Sequence, residues 1–240
     1  MARNSFFQFK QFIIRQDRCA MKVCTDACIF GAWLSLGEAQ NVLDIGSGTG
    51  LLTLMLAQRF PKAKVTGIEL DAPAFEQSVQ NVENSPYNKQ IELLQGDIRQ
   101  YEPGKLYESI ISNPPFYQAS LRSPSAQKNA AHHAETLHFE DLLYAVARLL
   151  KPEGELHLLL PWDESHVFIK MAETKGFILK QSLTINNHIE KKPFRRIMCF
   201  QRATESDNGL KESDLVIYSS HGQGYTSEFE ALLGPFYLKL

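Results

Sequence analysis

Short apolar runs alternate along this chain with longer stretches whose apolar residues recur at helical spacing. "NVLDI" precedes "GLLTLMLAQRF", "KVTGIEL" precedes "APAFEQSVQNVEN", and "IELLQG", "ESIIS", "FEDLLYAVARLL" and "ELHLLLP" follow. The short runs predict β-strands and the periodic stretches predict α-helices. Strands that are apolar almost throughout suit a parallel sheet covered on both faces, with the helices as crossovers. Further on, "VFIKMAETKGF" predicts a helix stopped by Gly176, and "ILKQSLTI" and "RRIMCFQ" predict two more strands. The succession is that of an α/β protein with an open, doubly wound, mostly parallel seven-stranded sheet and helices on both faces. Ahead of it, "FFQFKQFIIRQD" alternates roughly and predicts a small N-terminal β extension. "RATESDNGLKESD" is polar enough for a surface loop.

Length and composition narrow the class. With 240 residues, 44% apolar and 22% charged, the chain can bury one substantial core, so a single domain over residues 1–240 is expected. It divides into an N-terminal extension (1–40), a ligand-binding core (41–161) and a C-terminal part of the sheet (162–240). No run of about eighteen apolar residues occurs, and the opening segment mixes Arg3, Lys10, Arg15 and Arg18 with phenylalanines in place of a signal peptide's apolar block. A cytoplasmic protein without a membrane partner is therefore expected, and nothing announces a stable protein partner. Cys19, Cys24, Cys28 and Cys199 lack the paired spacing of a zinc site and read as reduced thiols, with no metal. The net charge is only -2, but cations concentrate in the opening segment and in "KKPFRR", which holds Lys191, Lys192, Arg195 and Arg196.

The first strand and helix are joined by "IGSGTG", with Gly46, Gly48 and Gly50 at alternate positions around Ser47. Doubly wound folds bind ligands at this place, and glycines let a ligand approach the backbone. The spacing is not the G-x-G-x-x-G of a dinucleotide pyrophosphate site, and Asp44 beside the loop would repel phosphate. It suits a cationic ligand group, such as an amino-acid ammonium. Glu69 ends the second strand, where an acid can accept from both hydroxyls of a ribose, and Asp97 follows the third, within reach of an adenine edge. Glycines and acids so arranged resemble the S-adenosylmethionine site of the Rossmann-like, class I methyltransferases, a likeness covering roughly residues 41–161.

The fourth strand runs into "SNPPFY". Proline donates no backbone hydrogen bond and fixes φ, so Asn113, Pro114 and Pro115 must leave the strand as a rigid loop with unpaired carbonyls. Such acceptors can hold both hydrogens of a planar amine while its lone pair turns toward an electrophile. Phe116 offers a face on which a heteroaromatic base can stack. In position, Asn113-Pro114-Pro115-Phe116 resembles the N/D-P-P-Y/F/W motif of methyltransferases that act on adenine N6, guanine N2 or glutamine N5. That resemblance implies that Asn113 and Pro114 bind the amine, that Asn113 also borders the cofactor, and that transfer is direct, without covalent intermediate or metal.

Glutamine-modifying relatives carry a helical domain ahead of the glycine loop, and large guanine-modifying enzymes carry a duplicated domain; neither fits here. The opening "FQFKQFIIRQDRCAMKVCTDACIFGAW" and the ending "YTSEFEALLGPFYLKL" resemble the bacterial enzymes that methylate N6 of the adenine at position 37, just 3′ of the anticodon, in a valine tRNA. This likeness spans nearly the whole chain. It implies S-adenosylmethionine as methyl donor and the anticodon arm of valine tRNA as partner. It also makes Thr25 and Asp26 neighbours of the cofactor's methionine end, and Lys191, Lys192, Arg195 and Arg196 RNA contacts. Cys24 and Cys28 depart from the glycine or aliphatic residue expected there. His132 and His133 lie beyond the motif, in a surface loop or flanking substrate. Another amine target, or a silent RNA-binding module, stands as the alternative.

Overall fold

A computed structural model describes residues 5–19, 21–114, 137–204, 209–219 and 224–240. Pro115, Phe116, His132 and His133 lie outside the described residues. The chain opens with a two-stranded antiparallel hairpin, β1 (Phe6–Gln8) and β2 (Ile13–Arg15), followed by helix α1 (Thr25–Trp33). Alternation then sets in: β3 (Asn41–Ile45), α2 (Leu51–Arg59), β4 (Lys64–Glu69), α3 (Ala72–Glu83), β5 (Ile91–Gln95) and β6 (Tyr107–Ser112). Beyond these lie α4 (Phe139–Leu149), β7 (Leu150–Pro161), α5 (Trp162–Thr174), β8 (Phe177–Asn186), β9 (Arg195–Arg202), β10 (Lys211–Val216) and α6 (Ser227–Leu233).

The main sheet has eight strands in the order β10-β8-β9-β7-β6-β3-β4-β5, and within it only β9 runs against the others. The alternation along β3 shows why both faces are apolar: Val42 belongs to the cluster that α1, α2 and α6 cover, while Leu43 and Ile45 belong to the one under α4 and α5.

The eighth strand corrects the seven expected. β10 begins inside the polar stretch read as a loop and pairs parallel with β8, Lys211 opposite Gln181 through Val216 opposite Asn186. It is an edge strand with only Leu215 buried. Its residues carry no period-two apolar signal, because backbone pairing and not side-chain burial holds it there.

The hairpin is fastened to α3 by buried polar side chains. Asn81 Oδ1 accepts from Arg15 N at 2.9 Å, and Asn81 Nδ2 donates to Arg15 O at 3.0 Å and to Thr49 O at 2.9 Å. One turn earlier, Gln77 accepts from Arg18 N and donates to Asp17. One helix face thereby grips both the N-terminal extension and the loop after β3.

Candidate active site

Strands β3, β4, β5 and β6 end along one edge of the sheet, which brings the expected site residues side by side. Gly46 and Ser47 donate their backbone N–H groups to Ile68 O at 2.9 and 3.1 Å, and Gly50 N closes the turn on Ser47 O at 2.8 Å. Gly46, Gly48 and Gly50 have φ of 71°, 55° and 83°, a region that disfavours any residue with a Cβ. A Cβ on Gly46 or Gly48 would meet nothing within 4 Å. The glycines are thus required by backbone conformation, and open space remains beside two of them for a ligand.

Asp44 sits near the end of β3, just before this loop, and is fully buried. Its Oδ2 accepts from Thr53 Oγ1 of α2 at 2.6 Å, whereas Oδ1 has no hydrogen-bond partner among the described residues. Burial pushes its carboxyl up to about 7; the Thr53 bond pulls the other way, and the neighbouring Glu69 charge adds to the rise. Glu69, at the end of β4, accepts from Gly48 N at 2.7 Å through Oε2 and from Asp71 N at 2.9 Å through Oε1. Its carboxylate therefore braces the glycine loop from the second strand. Asp97, after β5, is clasped by Arg99, with Arg99 Nη2 at 2.6 Å from Oδ2, and this partner holds its carboxyl below the usual range.

Across the sheet, Ser112 Oγ donates to Ile45 O at 2.8 Å, which ties the end of β6 to the strand entering the glycine loop. Asn113 follows immediately. Its Oδ1 is buried and has no hydrogen-bond partner among the described residues, and Pro114 is buried beside it. A buried amide oxygen left without a donor is costly unless something else supplies one.

Thr25 and Asp26 open α1. Asp26 is buried, and its Oδ2 lies 2.6 Å from Arg195 Nε, at the start of β9 and opposite Pro161 at the end of β7. This pair was not legible in the sequence; the two residues are far apart in the chain, and each read as a separate candidate. Arg195 also borders a recess of about 350 Å³ formed with Pro161, Trp162, Asp163, Glu164, Pro193 and Phe194.

The "KKPFRR" run divides. Lys191 and Lys192 are exposed. Arg196 is only 7% exposed, with Nη2 bonded to Glu212 at 2.6 Å and to Ser182 at 3.1 Å, and its guanidinium lies over the Trp162 ring. Strand alternation turns Arg195 and Arg196 to opposite faces of the sheet, so Arg196 is a bracing residue and leaves the expected RNA-facing set.

The four cysteines are free thiols, and burial pushes Cys24 and Cys28 up to about 12, far from the range of a reactive thiolate. Cys199 and His157, both buried, join the partly exposed Glu155 in a cluster within the sheet, their ligand-type atoms within 4.8 Å of one another. No helix among the described residues is long and apolar enough to cross a membrane.

Residues 27–163 match the family model described as methyltransferase small domain. The chain is 48% identical over 239 residues to the tRNA1(Val) (adenine(37)-N6)-methyltransferase of Dyadobacter fermentans, covering 100% of both chains. It is 38% identical to the protein of that name from Phocaeicola vulgatus, covering 99% of each. The chain belongs to the tRNA1(Val) (adenine(37)-N6)-methyltransferase family. Its fold is likewise that of class I methyltransferases. A predicted O-methyltransferase from Agrobacterium tumefaciens superposes with a TM-score of 0.68 over 88% of this chain and 96% of that one, at 17% identity.

The glycine loop, Asn113 and Pro114 lie at the strand ends where the sequence places them. Reasoning from sequence missed Thr53, which bonds Asp44, and Ser112, which bonds Ile45 O. A lone threonine inside the apolar run "LLTLML" was the available signal for Thr53: a polar group on a buried helix needs a partner.

Proposed function

We propose that this protein transfers a methyl group from S-adenosylmethionine to N6 of adenine 37 in a valine tRNA, recognising the anticodon arm. The unpartnered, buried Oδ1 of Asn113, fixed beside the glycine loop by the Ser112–Ile45 bond, is the observation that carries this reading.

The described residues fit the methyl donor. Open space lies beside Gly46 and Gly48, and the orphaned Oδ1 of Asp44 faces the demand for a cationic or hydroxylic partner. In this reading the Gly46–Gly50 loop with Ser47 and Asp44 cradles the amino-acid part, together with Thr25 and Asp26 from α1. Glu69 takes the ribose hydroxyls and Asp97 the adenine edge. When bound, S-adenosylmethionine supplies a methyl carbon made electrophilic by a sulfonium.

Asn113 Oδ1 and the Pro114 carbonyl accept the two N6 hydrogens, which draws the amine lone pair out of conjugation and aims it. Neither group is basic enough to take a proton before transfer, so the surplus proton passes to water afterwards. Positioning and fixed dipoles supply the acceleration. Pro115 stiffens the corner and Phe116 stacks on the extruded base, roles that rest on the family motif. Lys191, Lys192 and the partly exposed Arg195 meet phosphate. A cytoplasmic enzyme acting without a stable protein partner is the corresponding setting.

Labelled S-adenosylmethionine with total tRNA, followed by mass spectrometry of the nucleosides, tests this. N6-methyladenosine in valine tRNA is expected, with Asn113→Ala lowering turnover by about a hundredfold or more at unchanged cofactor affinity. Label in guanosine or in protein, or none at all, would overturn the reading.

A further inference from the structure

The edge of the sheet that carries the glycine loop and Asn113 also carries the ends of β8 and β10, and a stack of rings rises there. Phe229 of α6 is its buried base. Tyr225 lies 4.5 Å from Phe229 at 26°, Tyr218 lies 5.5 Å from Tyr225 at 23°, and His188 lies 5.3 Å from Tyr218 at 28°. Backbone pairing fixes the register: Tyr218 bridges Tyr225, and Tyr218 N donates to Asn187 O at 3.0 Å.

Exposure rises from the base of this stack to Tyr218. Phe229 is fully buried, Tyr225 is half-buried, Tyr218 is 38% exposed, and His188, the last ring, is half-buried beside it. His188 belongs to a turn closed by Lys191 N donating to His188 O at 3.1 Å, so the half-buried last ring and the exposed Lys191 and Lys192 share one short segment. Ile189, between them, is 74% exposed. Near-parallel rings that begin in the core and reach solvent at Tyr218, beside two lysines, make a rigid platform for another flat, anionically tethered ring.

We propose that His188 and Tyr218 form a second nucleobase-stacking site, which holds an unpaired anticodon-loop base near the methylated adenine while Lys191 and Lys192 take the adjoining phosphates. The inference rests on the tRNA reading above. Three strand spacings separate β8 from β6, about 15 Å at the usual distance between neighbours, so the two sites lie a few unstacked nucleotides apart. Distortion of the loop by the second site keeps the target base out of its stack.

An unmodified valine tRNA transcript and the full chain provide the test. His188→Ala is expected to weaken tRNA binding about five- to one-hundredfold, raising KM for tRNA while leaving cofactor affinity and the melting temperature unchanged. His188→Phe restores binding, because stacking needs a ring and not an imidazole. Lys191→Ala with Lys192→Ala lowers the salt dependence of binding, by close to one in the log–log slope for each phosphate no longer neutralised, whereas His188→Ala leaves that slope alone. Wild-type affinity in His188→Ala, in a protein that does methylate the transcript, overturns the stacking site and leaves the proposed reaction standing. Absence of methylation by the unaltered protein overturns the reaction itself.

Discussion

Arg195 Nε donates to Asp26 Oδ2 at 2.6 Å and so joins the start of β9 to the first turn of α1. Asp26 is nearly buried while the Arg195 side chain keeps about a quarter of its exposure, which makes the bond an anchor at the edge of the recess that Arg195 borders. Removal of either partner strands a charge at a poorly solvated position.

Asp26→Ala and Arg195→Ala are each expected to cost about 2 kcal/mol of stability, the fully buried figure reduced for partial exposure of the arginine. The double variant is expected to cost little more than either single one. A double-mutant cycle by urea unfolding measures this, and strict additivity would show that the pair does not act as a unit.

Asp44 gives the ligand-free protein an unusual acid limb. Its carboxyl is raised from the ordinary 3.8 to about 7 by burial, so between those values the folded state keeps a proton that the unfolded state has released. The stability this contributes is full below the unfolded value, declines as pH rises, and is gone above about 7. The decline is at most about 1.4 kcal/mol per pH unit. Asp44→Asn is expected to remove that decline, and Thr53→Val, which deletes the bond that favours the carboxylate, to extend it to higher pH. Urea unfolding across pH 4 to 8, about the titration range of such a group, reads both.

Gly67 in β4 is needed for space and not for φ. A Cβ there would lie 2.8 Å from Leu93 Cδ2 and 3.1 Å from Ser47 Cβ and Oγ. Gly67→Ala is expected to push Ser47 and the glycine loop outward, costing about 1 to 3 kcal/mol by overpacking and weakening S-adenosylmethionine binding about tenfold. Calorimetric titration with the cofactor checks it; retained affinity would mean that Leu93 alone absorbs the strain.

What was legible in the sequence follows from where each signal lies. β3, β4 and β6 are buried on both sides, so their apolar runs announced them, and the glycine loop stood out because its positive φ angles demand those residues. β10 was hidden because an edge strand needs little side-chain burial, and the burial of Arg196 because a cationic run does not reveal that this residue lies in a central strand, covered by Trp162 and bonded to Glu212. Gln77 and Asn81 of α3 were silent for a similar reason. Buried amides on a helix look like surface residues until the chain they bind is in place.

That last feature is testable. Asn81 satisfies both backbone groups of Arg15 and the Thr49 carbonyl inside the glycine loop, so one amide couples the hairpin to the turn after β3. Asn81→Ala leaves the buried Thr49 carbonyl and the part-buried Arg15 groups without partners, and a penalty of about 1 to 3 kcal/mol follows. For a protein of this size that is a fall of several degrees in melting temperature. Faster amide exchange at Arg15 and in the turn after β3, with the far strands β8 and β10 unchanged, would show that the amide and not general loosening is responsible.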